Sequence, residues 1–273
     1  ASAQVKSAIL LAGLNASGET EIEEPGLSRD HTERMLRDFG VKLDTENNRV
    51  RLQGHQPLRG RMVHVPGDFS SAAFFIAAAT LVPDSAIALS NVGLNPTRTG
   101  LLDALYSMSP GHIEVIPETA DLAEESGTIR VQSCPLKSTS VGEELVVRMI
   151  DEFPIFAALA SLAKGKTTIR NASELRVKES DRIAVMAQQL RKMGVEVQEF
   201  PDGMDVVGSE GLHAATVESH GDHRIAMSLA VAALRSSGET VIENTDCIAT
   251  SFPGFVDLMR ELGADIEEQE CRT

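Results

Sequence analysis

Residues 154–200, PIFAALASLAKGKTTIRNASELRVKESDRIAVMAQQLRKMGVEVQEF, contain the succession of patterns that decides the fold. The stretch opens with an Ala-rich apolar run and passes through Gly165 into a short strand pattern. A helix pattern follows, with apolar residues at three- and four-residue spacing, and then a second strand pattern at 195–200. This alternation of helix and strand patterns predicts an α/β fold.

The same succession occurs four times along the chain. The four Ala-rich runs begin at residues 5, 70, 154 and 223. Each is followed by a strand pattern, an amphipathic helix and another strand, which in the fourth copy is 264–268, and the first three copies add a further strand. Leading strands are expected before the last three Ala-rich runs, at 61–65, 145–150 and 215–219. The sequence therefore predicts a βαβαββ unit repeated roughly every 65–85 residues.

The Ala-rich runs and the two chain ends each lead to an expectation. The runs are apolar nearly all round, so their four helices should be the most buried elements. The first unit lacks its leading strand and the fourth lacks its last strand. We therefore expect the chain to be part of a longer protein.

Composition limits the classes of partner. The net charge of −15 over 273 residues argues against binding to nucleic acid or to an anionic membrane, although a local group of cations can still bind a small anion. The longest apolar run, 72–82, is too short to span a bilayer, and no signal peptide is visible. The three cysteines, Cys134, Cys247 and Cys271, lie far apart, which is typical of a reduced, cytoplasmic protein without a structural metal.

Charged motifs stand where strand patterns give way to helix patterns. The motif RVKESDR, 176–182, has two interpretations: a solvated, salt-bridged helix start, or a site for an anionic substrate. Asp151 and Ser28 could likewise be helix N-caps, and Asp222 with Arg224 a buried ion pair. Cation-bearing motifs recur at equivalent junctions of different units, and this recurrence favours a binding site.

Six motifs, in this order, give the chain a specific resemblance: SAQVK, RDHTE, NPTR, RVKESDR, DHRIAMS and IATSFP. Together they resemble the 5-enolpyruvylshikimate-3-phosphate synthases, the 3-phosphoshikimate 1-carboxyvinyltransferases. SAQVK, RDHTE and NPTR resemble the second, glyphosate-insensitive class. The resemblance implies a two-domain, inside-out α/β barrel architecture with three βαβαββ units in each domain. Residues 1–66 would be the last unit of the first domain, and residues 67–273 the second domain.

The resemblance also implies a reaction. The enolpyruvyl group of phosphoenolpyruvate would move to the 5-hydroxyl of shikimate 3-phosphate, with release of phosphate, by addition and then elimination through a tetrahedral intermediate. No metal or organic cofactor would be needed. An N-terminal segment outside this chain would supply a Lys-Ser phosphate-binding segment, a Gly-rich loop and a further Arg. The completed enzyme would be a monomer, and this chain alone would be inactive or nearly so.

Site residues follow from the resemblance by position. It implies that shikimate 3-phosphate contacts Ser2, Ala3, Gln4, Ser28, Arg29, Asp151 and Lys178. It implies that phosphoenolpyruvate contacts Gln4, Arg182 and Arg224. Asp151 would accept the proton of the 5-hydroxyl, Lys178 would lie beside that hydroxyl, and Glu179 would donate a proton to the methylene carbon.

Three positions depart from the enterobacterial pattern, and two alternatives remain. Thr250 stands in place of a Lys, Glu174 near the place of an Asn, and Ala3 in place of a Ser. All three favour the second class. The alternatives are the related enolpyruvyl transferase that acts on UDP-N-acetylglucosamine, which shares the fold but not RVKESDR or RDHTE, and a catalytically silent fragment.

Overall fold

The computed structural model of the chain describes residues 2–118 and 124–269. Cys271 lies outside these ranges, and Cys134 and Cys247 are half-buried free thiols. The α-helices of the described residues are α1 (Ala3–Gly13), α2 (His31–Asp38), α3 (Phe69–Leu81), α4 (Gly100–Met108), α5 (Glu143–Arg148), α6 (Phe153–Ala160), α7 (Arg182–Lys192), α8 (His223–Ala233) and α9 (Phe255–Glu261). The strands are β1 (Glu19–Glu23), β2 (Leu43–Glu46), β3 (Arg49–Gln53), β4 (Ala86–Gly93), β5 (Ile113–Pro117), β6 (Ser126–Gln132), β7 (Ser140–Val141), β8 (Lys166–Ile169), β9 (Glu196–Phe200), β10 (Gly203–Val207), β11 (Thr216–Glu218) and β12 (Val241–Glu243).

The strands form small sheets, one for each repeat of the sequence. Their orders are β1-β3-β2, β4-β6-β5, β7-β8-β10-β9 and β11-β12. The first two sheets are antiparallel, β11 pairs with β12 in parallel, and β7 joins β8 in parallel within an otherwise antiparallel sheet. The repeated α/β organisation predicted from the sequence is confirmed.

Buried apolar side chains form two separate clusters. The smaller cluster contains residues from 10 to 52 and joins α1 to the first sheet. The larger cluster contains residues from 69 to 259 and is built around α3, α6 and α8, which pack against one another. All residues of α6 and most residues of α3 and α8 are buried, as their apolar circumference predicts.

The expectation that all four Ala-rich helices are the most buried elements is wrong for α1. Only Lys6, Leu10 and Gly13 of this helix are buried, while Val5 and Leu11 are more than half exposed. The reason is that, among the described residues, α1 packs mainly on β1 and β3, which cover one of its faces. An apolar sequence produces a buried helix only where neighbouring elements surround it.

Three predicted strands are absent from the described residues. Residues 61–65 and 264–268 have no regular structure, and the stretch 145–150 forms α5 and a following 3₁₀ turn instead of a strand. Helix α5 follows Gly142 and has two glutamates in its first turn, which favour a helix N-terminus. The leading strand of that unit is β7, a few residues earlier. The prediction at 215–219 is confirmed by β11.

A groove of about 1040 Å³ runs between α3, α8, β12 and the segment 262–269. Its walls include apolar side chains such as Phe75, Ala230 and Ile242. No helix within 2–118 or 124–269 combines the length and apolar character needed to cross a membrane.

Candidate functional site

Four arginines converge on Asp151, in the turn Ile150–Glu152 that leads into α6. Arg29, from the loop before α2, forms an ion pair with its carboxylate. Arg98 Nη1 lies 3.1 Å from Asp151 Oδ2, and Arg182 Nη1 lies 3.6 Å from Oδ1. Arg224 Nη1 donates a hydrogen bond of 3.0 Å to the backbone carbonyl of Asp151. Each of the four repeats thus contributes one arginine to the same cationic site.

The arginines determine the ionisation of Asp151. Burial alone would raise its pKa, but the charges of Arg224, Arg29 and Arg98 outweigh burial and hold the pKa far below its usual range. The N-cap alternative for Asp151 is wrong, because Glu152 occupies the N-cap position of α6 and makes no side-chain capping bond. Asp151 is therefore available for electrostatic or proton-transfer work.

Glu152, the next residue, has the opposite tendency. Its side chain is buried, and burial raises its pKa against the opposing effects of Arg98, Ser70 and Arg224. It accepts a hydrogen bond from Ser70 Oγ, and Arg98 Nη2 and Arg224 Nη1 lie 3.6 and 3.7 Å away. Two adjacent carboxyl groups with diverging pKa values are an arrangement suited to acid–base chemistry.

Arg182 is the most deeply buried cation of the site. Its side chain is 1% exposed, and it donates to Asp222 Oδ2 at 2.8 Å and to Glu179 Oε2 at 2.6 Å. Its remaining Nη1 group is buried and has no hydrogen-bond partner within 2–118 and 124–269. A buried guanidinium with one nitrogen that makes no hydrogen bond suits an anionic ligand. For Arg182, the solvated-helix alternative is wrong.

Asp222 holds two of these cationic elements in place. It is fully buried, caps α8 by accepting from the backbone N–H of Arg224 at 2.9 Å, and pairs with the side chain of Arg182 rather than of Arg224. The capping bond places Arg224 in the first turn of α8, where it points to the turn at Asp151. The ion pair proposed from the sequence between Asp222 and Arg224 is therefore corrected to Asp222 with Arg182.

Lys178 and Glu179 lie at the edge of the site. Lys178 Nζ pairs with Glu174 at 2.6 Å, and within the described part of the chain it makes no hydrogen bond or ion pair with Asp151. Glu179 is 51% exposed and touches the site through Arg182. Thr250, further along the chain, donates its hydroxyl to the carbonyl of Cys247.

Ser2, Ala3 and Gln4 form the N-terminal end of α1. Ser2 is the N-cap, with its hydroxyl 3.4 Å from the amide of Val5, and Gln4 is exposed. Ala3 is half-buried and presents no polar side chain. Their backbone N–H groups lie at a helix N-terminus, which favours anions, but the described contacts do not join them to Asp151.

Lys6, one turn along α1, connects this helix to the loop that carries Ser28 and Arg29. Its Nζ lies 2.9 Å from Glu24 and 2.6 Å from Glu33, and all three side chains are buried. Glu24 also accepts a hydrogen bond from Ser28. Ser28 is not an N-cap, since α2 begins three residues later, at His31, and Asp30 occupies the N-cap position.

The RDHTE and NPTR motifs contact each other directly. Asn95 Nδ2 donates to Asp30 Oδ1 at 2.8 Å, and both Asn95 and His31 contact Glu124. Since Asp30 lies at the start of α2 and Asn95 precedes α4, these contacts join the two apolar clusters through polar side chains.

The sequence identified Asp151 and three of its arginines but did not assign Arg98, Glu152 or Lys6. Arg98 belongs to the NPTR motif, and its position at a helix start was the available signal. Lys6 and Glu152 stand beside apolar residues in helical runs, and such charges are rarely buried without a partner. No group of three His, Cys, Asp or Glu residues able to hold a metal occurs in the ranges that the structure describes.

Comparison with known proteins gives a consistent family. The family model described as EPSP synthase (3-phosphoshikimate 1-carboxyvinyltransferase) matches residues 1–259. The chain is 53% identical over 261 residues to the 3-phosphoshikimate 1-carboxyvinyltransferase of Geotalea uraniireducens, covering 96% of this chain and 60% of the relative. It is 52% identical over 264 residues to the protein of that name from Synechococcus elongatus, covering 96% and 59%.

A solved structure shows the same fold. The EPSP synthase of Acinetobacter baumannii superposes with a TM-score of 0.92 at 44% identity, covering 98% of this chain and 62% of that one. The chain thus spans about 60% of the length of the curated relatives it matches.

Proposed function

Because the chain belongs to the EPSP synthase family, we propose that it takes part in transferring the enolpyruvyl group of phosphoenolpyruvate to the 5-hydroxyl of shikimate 3-phosphate, with release of phosphate. The convergence of four arginines on Asp151 is the observation that carries this proposal. Both substrates are polyanions, and charge-assisted hydrogen bonds from guanidinium groups suit phosphate and carboxylate.

Arg29 would link substrate binding to activation of Asp151. Its side chain is 33% exposed, the most accessible of the four arginines, and it lies in the loop before α2, whose Leu36 belongs to the smaller apolar cluster. When it moves to the phosphate of shikimate 3-phosphate, Asp151 loses a cation that depresses its pKa and becomes a stronger base. Asp151 then accepts the proton of the 5-hydroxyl as that oxygen attacks phosphoenolpyruvate.

The phosphoenolpyruvate part of the site would be formed by Arg182 and Arg224, with Gln4 closing it from α1. Nη1 of Arg182 supports this role, because it makes no hydrogen bond within the described residues, lies 3.6 Å from Asp151 Oδ1, and could donate to an anion. Glu179, which contacts Arg182, would donate the proton to the methylene carbon. The tetrahedral intermediate would then return one proton of its new methyl group to the Glu179 carboxylate as the C–O bond to phosphate breaks, which forms the enol ether and releases phosphate.

Shikimate 3-phosphate would be held by the starts of α1 and α2. Ser2, Ala3 and Gln4 offer the N-terminal N–H groups of α1, and Ser28 a hydroxyl. Lys178 would leave Glu174 to reach the 5-hydroxyl.

The domain division would follow the two apolar clusters, with residues 1–66 in one domain and 67–273 in the other. We propose that the active protein includes an N-terminal segment, and the relatives are long enough to allow it, since the chain covers 60% of one of them. The apolar groove beside α3 and α8 and the exposed apolar face of α1 support this proposal, since additional chain could cover both. The completed enzyme would be a cytoplasmic monomer.

Membership in the second, glyphosate-insensitive class is also proposed. Its support is the resemblance of SAQVK, RDHTE and NPTR to that class. In the structure RDHTE contacts the other two motifs, since Lys6 pairs with Glu33 and Asn95 with Asp30. An alteration in one motif would therefore disturb the others. Inhibition by glyphosate, measured beside a sensitive enterobacterial enzyme, tests the class.

A phosphate-release assay tests the function. We expect little turnover from this chain alone, and turnover once it is joined to the N-terminal part of the Geotalea uraniireducens relative. Asp151→Asn in the joined protein is the control and should abolish the gain. Absence of turnover from the joined protein would support the silent-fragment alternative, and full activity from this chain alone would contradict the need for an added segment.

A further inference from the structure

The loop 95–98, between β4 and α4, is a hydrogen-bonded turn whose first and last residues both contact other elements through their side chains. The side-chain oxygen of Asn95 accepts from the backbone N–H of Thr97 at 2.9 Å and from its hydroxyl at 2.7 Å, and Arg98 N–H bonds the Asn95 carbonyl at 2.9 Å. Asn95 and Arg98 are both buried. The hydrogen bonds within the turn fix the direction in which these two side chains leave it.

Arg98 binds the turn that carries Asp151. Nη1 reaches the Asp151 carboxylate at 3.1 Å, while Nη2 bonds the hydroxyl of Ser70 at the start of α3. Ser70 in turn donates to Glu152. A planar guanidinium that binds two acceptors at once fixes their relative position through its rigid geometry, whereas an ammonium group on a flexible stem constrains them less.

Asn95, at the other end of the turn, binds the start of α2. Its amide N–H groups reach Asp30 Oδ1 at 2.8 Å and Glu124 at 3.1 Å. Asp30 directly follows Arg29 in the chain, so the position of Arg29 depends on this contact. Arg29 and Asp151 form an ion pair across the site. The turn 95–98 therefore contacts Asp151 directly, and it contacts Asp30, the residue next to Arg29.

We propose that Arg98 and Asn95 are positioning residues for the reaction proposed above, which hold Asp151 and Arg29 in register so that both reach the same shikimate 3-phosphate. The inference rests on that proposed function. Neither residue was assigned a role by the family resemblance. Arg98 is distinct from Arg29 because it is enclosed between Asp151, Ser70 and Glu152, where it supports the carboxylate and is not free to follow the substrate.

The first experiment needs no turnover and uses the chain itself. The Asp151 carboxyl carbon is titrated by NMR in the unmodified chain, in Arg98→Met and in Arg98→Lys, with Asp151→Asn for assignment. We expect the pKa of Asp151 to rise clearly in Arg98→Met and to stay near the starting value in Arg98→Lys, because Lys keeps the charge. An unchanged pKa in Arg98→Met would overturn the inference.

The second experiment separates positioning from charge and uses the joined protein that turns over. We expect Arg98→Lys and Asn95→Leu to raise KM for shikimate 3-phosphate about tenfold and to lower kcat, with KM for phosphoenolpyruvate changing less than about twofold. Arg148→Met is the matched control. Arg148 donates to the carbonyl of Pro96 in the same turn and pairs with exposed Asp103, but it does not reach Asp151.

The outcomes are distinguishable. If Arg98→Lys has the kinetics of the unmodified protein, charge alone is sufficient and the positioning role is wrong. If Arg148→Met raises KM as much as Arg98→Lys, the effect belongs to general loosening of the turn and the inference is also wrong. If the joined protein lacks turnover altogether, the proposed function fails, and the NMR titration still decides whether Arg98 acts on Asp151.

Discussion

Removal of the Arg182 guanidinium should destabilise the fold far more than removal of a neighbouring one. Arg182→Met keeps an unbranched apolar stem but leaves Asp222 fully buried without its cation. Breaking a buried ion pair on one side costs about 3–5 kcal/mol, since the remaining charge has no compensation. At about 2–4 °C per kcal/mol for a chain of this size class, the loss corresponds to roughly 6–20 °C in Tm.

The control lies in the same motif. Arg176 pairs with Asp181 at 2.7 Å and Glu199 at 2.9 Å, but its side chain is 27% exposed. Arg176→Met should therefore cost only about 1 kcal/mol or less in the free energy of unfolding. Arg182→Met combined with Asp222→Asn should recover at least about 2 kcal/mol of the loss, because the uncompensated charge is gone and an amide oxygen can still cap α8.

Urea unfolding followed by far-UV circular dichroism measures these differences. The reasoning is refuted if Arg182→Met costs no more than Arg176→Met, or if the second substitution at Asp222 makes the protein less stable still. Either result would mean that the buried pair of Arg182 and Asp222 contributes little to the stability of the fold.

Three further predictions concern chemistry, pH and packing. In the joined protein, Glu179→Gln should lower kcat by about 10²–10⁴ with little change in KM, because it removes the ionisable proton; steady-state rates near those of the unmodified protein would contradict its role. The pKa of Asp151 is lower in the folded protein, so ionised Asp151 stabilises the fold above the unfolded pKa, and this contribution is lost as pH falls through the folded pKa. In acid denaturation, Asp151→Asn should therefore lose stability less steeply below about pH 4 than the unmodified protein. An unchanged slope would contradict this. Leu10→Ala should cost about 2–5 kcal/mol in chemical denaturation. Leu11→Ala, at a position 53% exposed, should stay within about 0.5 kcal/mol, and equal losses would mean that α1 is enclosed on both faces.

The sequence predicted the α/β repeats because their periodicity is local. The apolar circumference of α3, α6 and α8 identified the helices of the large cluster. The same pattern misled for α1, since burial depends on which elements surround a helix. The stretch 145–150 misled for another reason: its β-branched and apolar residues resemble a strand, but the preceding Gly142 and two glutamates start a helix.

The site was predictable as a set of cationic helix starts, but not as a set of contacts. Arg98 and Asp151 are 53 residues apart, and Arg29 and Asp151 are 122 apart, so no local pattern could pair them. The burial of Arg182 and its preference for Asp222 likewise depend on how α7 and α8 pack. The recurrence of cation-bearing motifs indicated the helix starts that form the site. Which of their side chains pair with one another depends on the tertiary fold.

The polar seam between the two apolar clusters has a thermodynamic consequence. Its contacts include Arg29 with Asp151, Asn95 with Asp30, and His31 with Glu124. Parting these groups would hydrate ions and amides rather than hydrocarbon, so separation of the clusters should carry a much smaller heat-capacity increment than unfolding either one. The equilibrium between joined and separated clusters should shift toward separation as ionic strength rises. The backbone amides around each cluster should still exchange slowly with solvent.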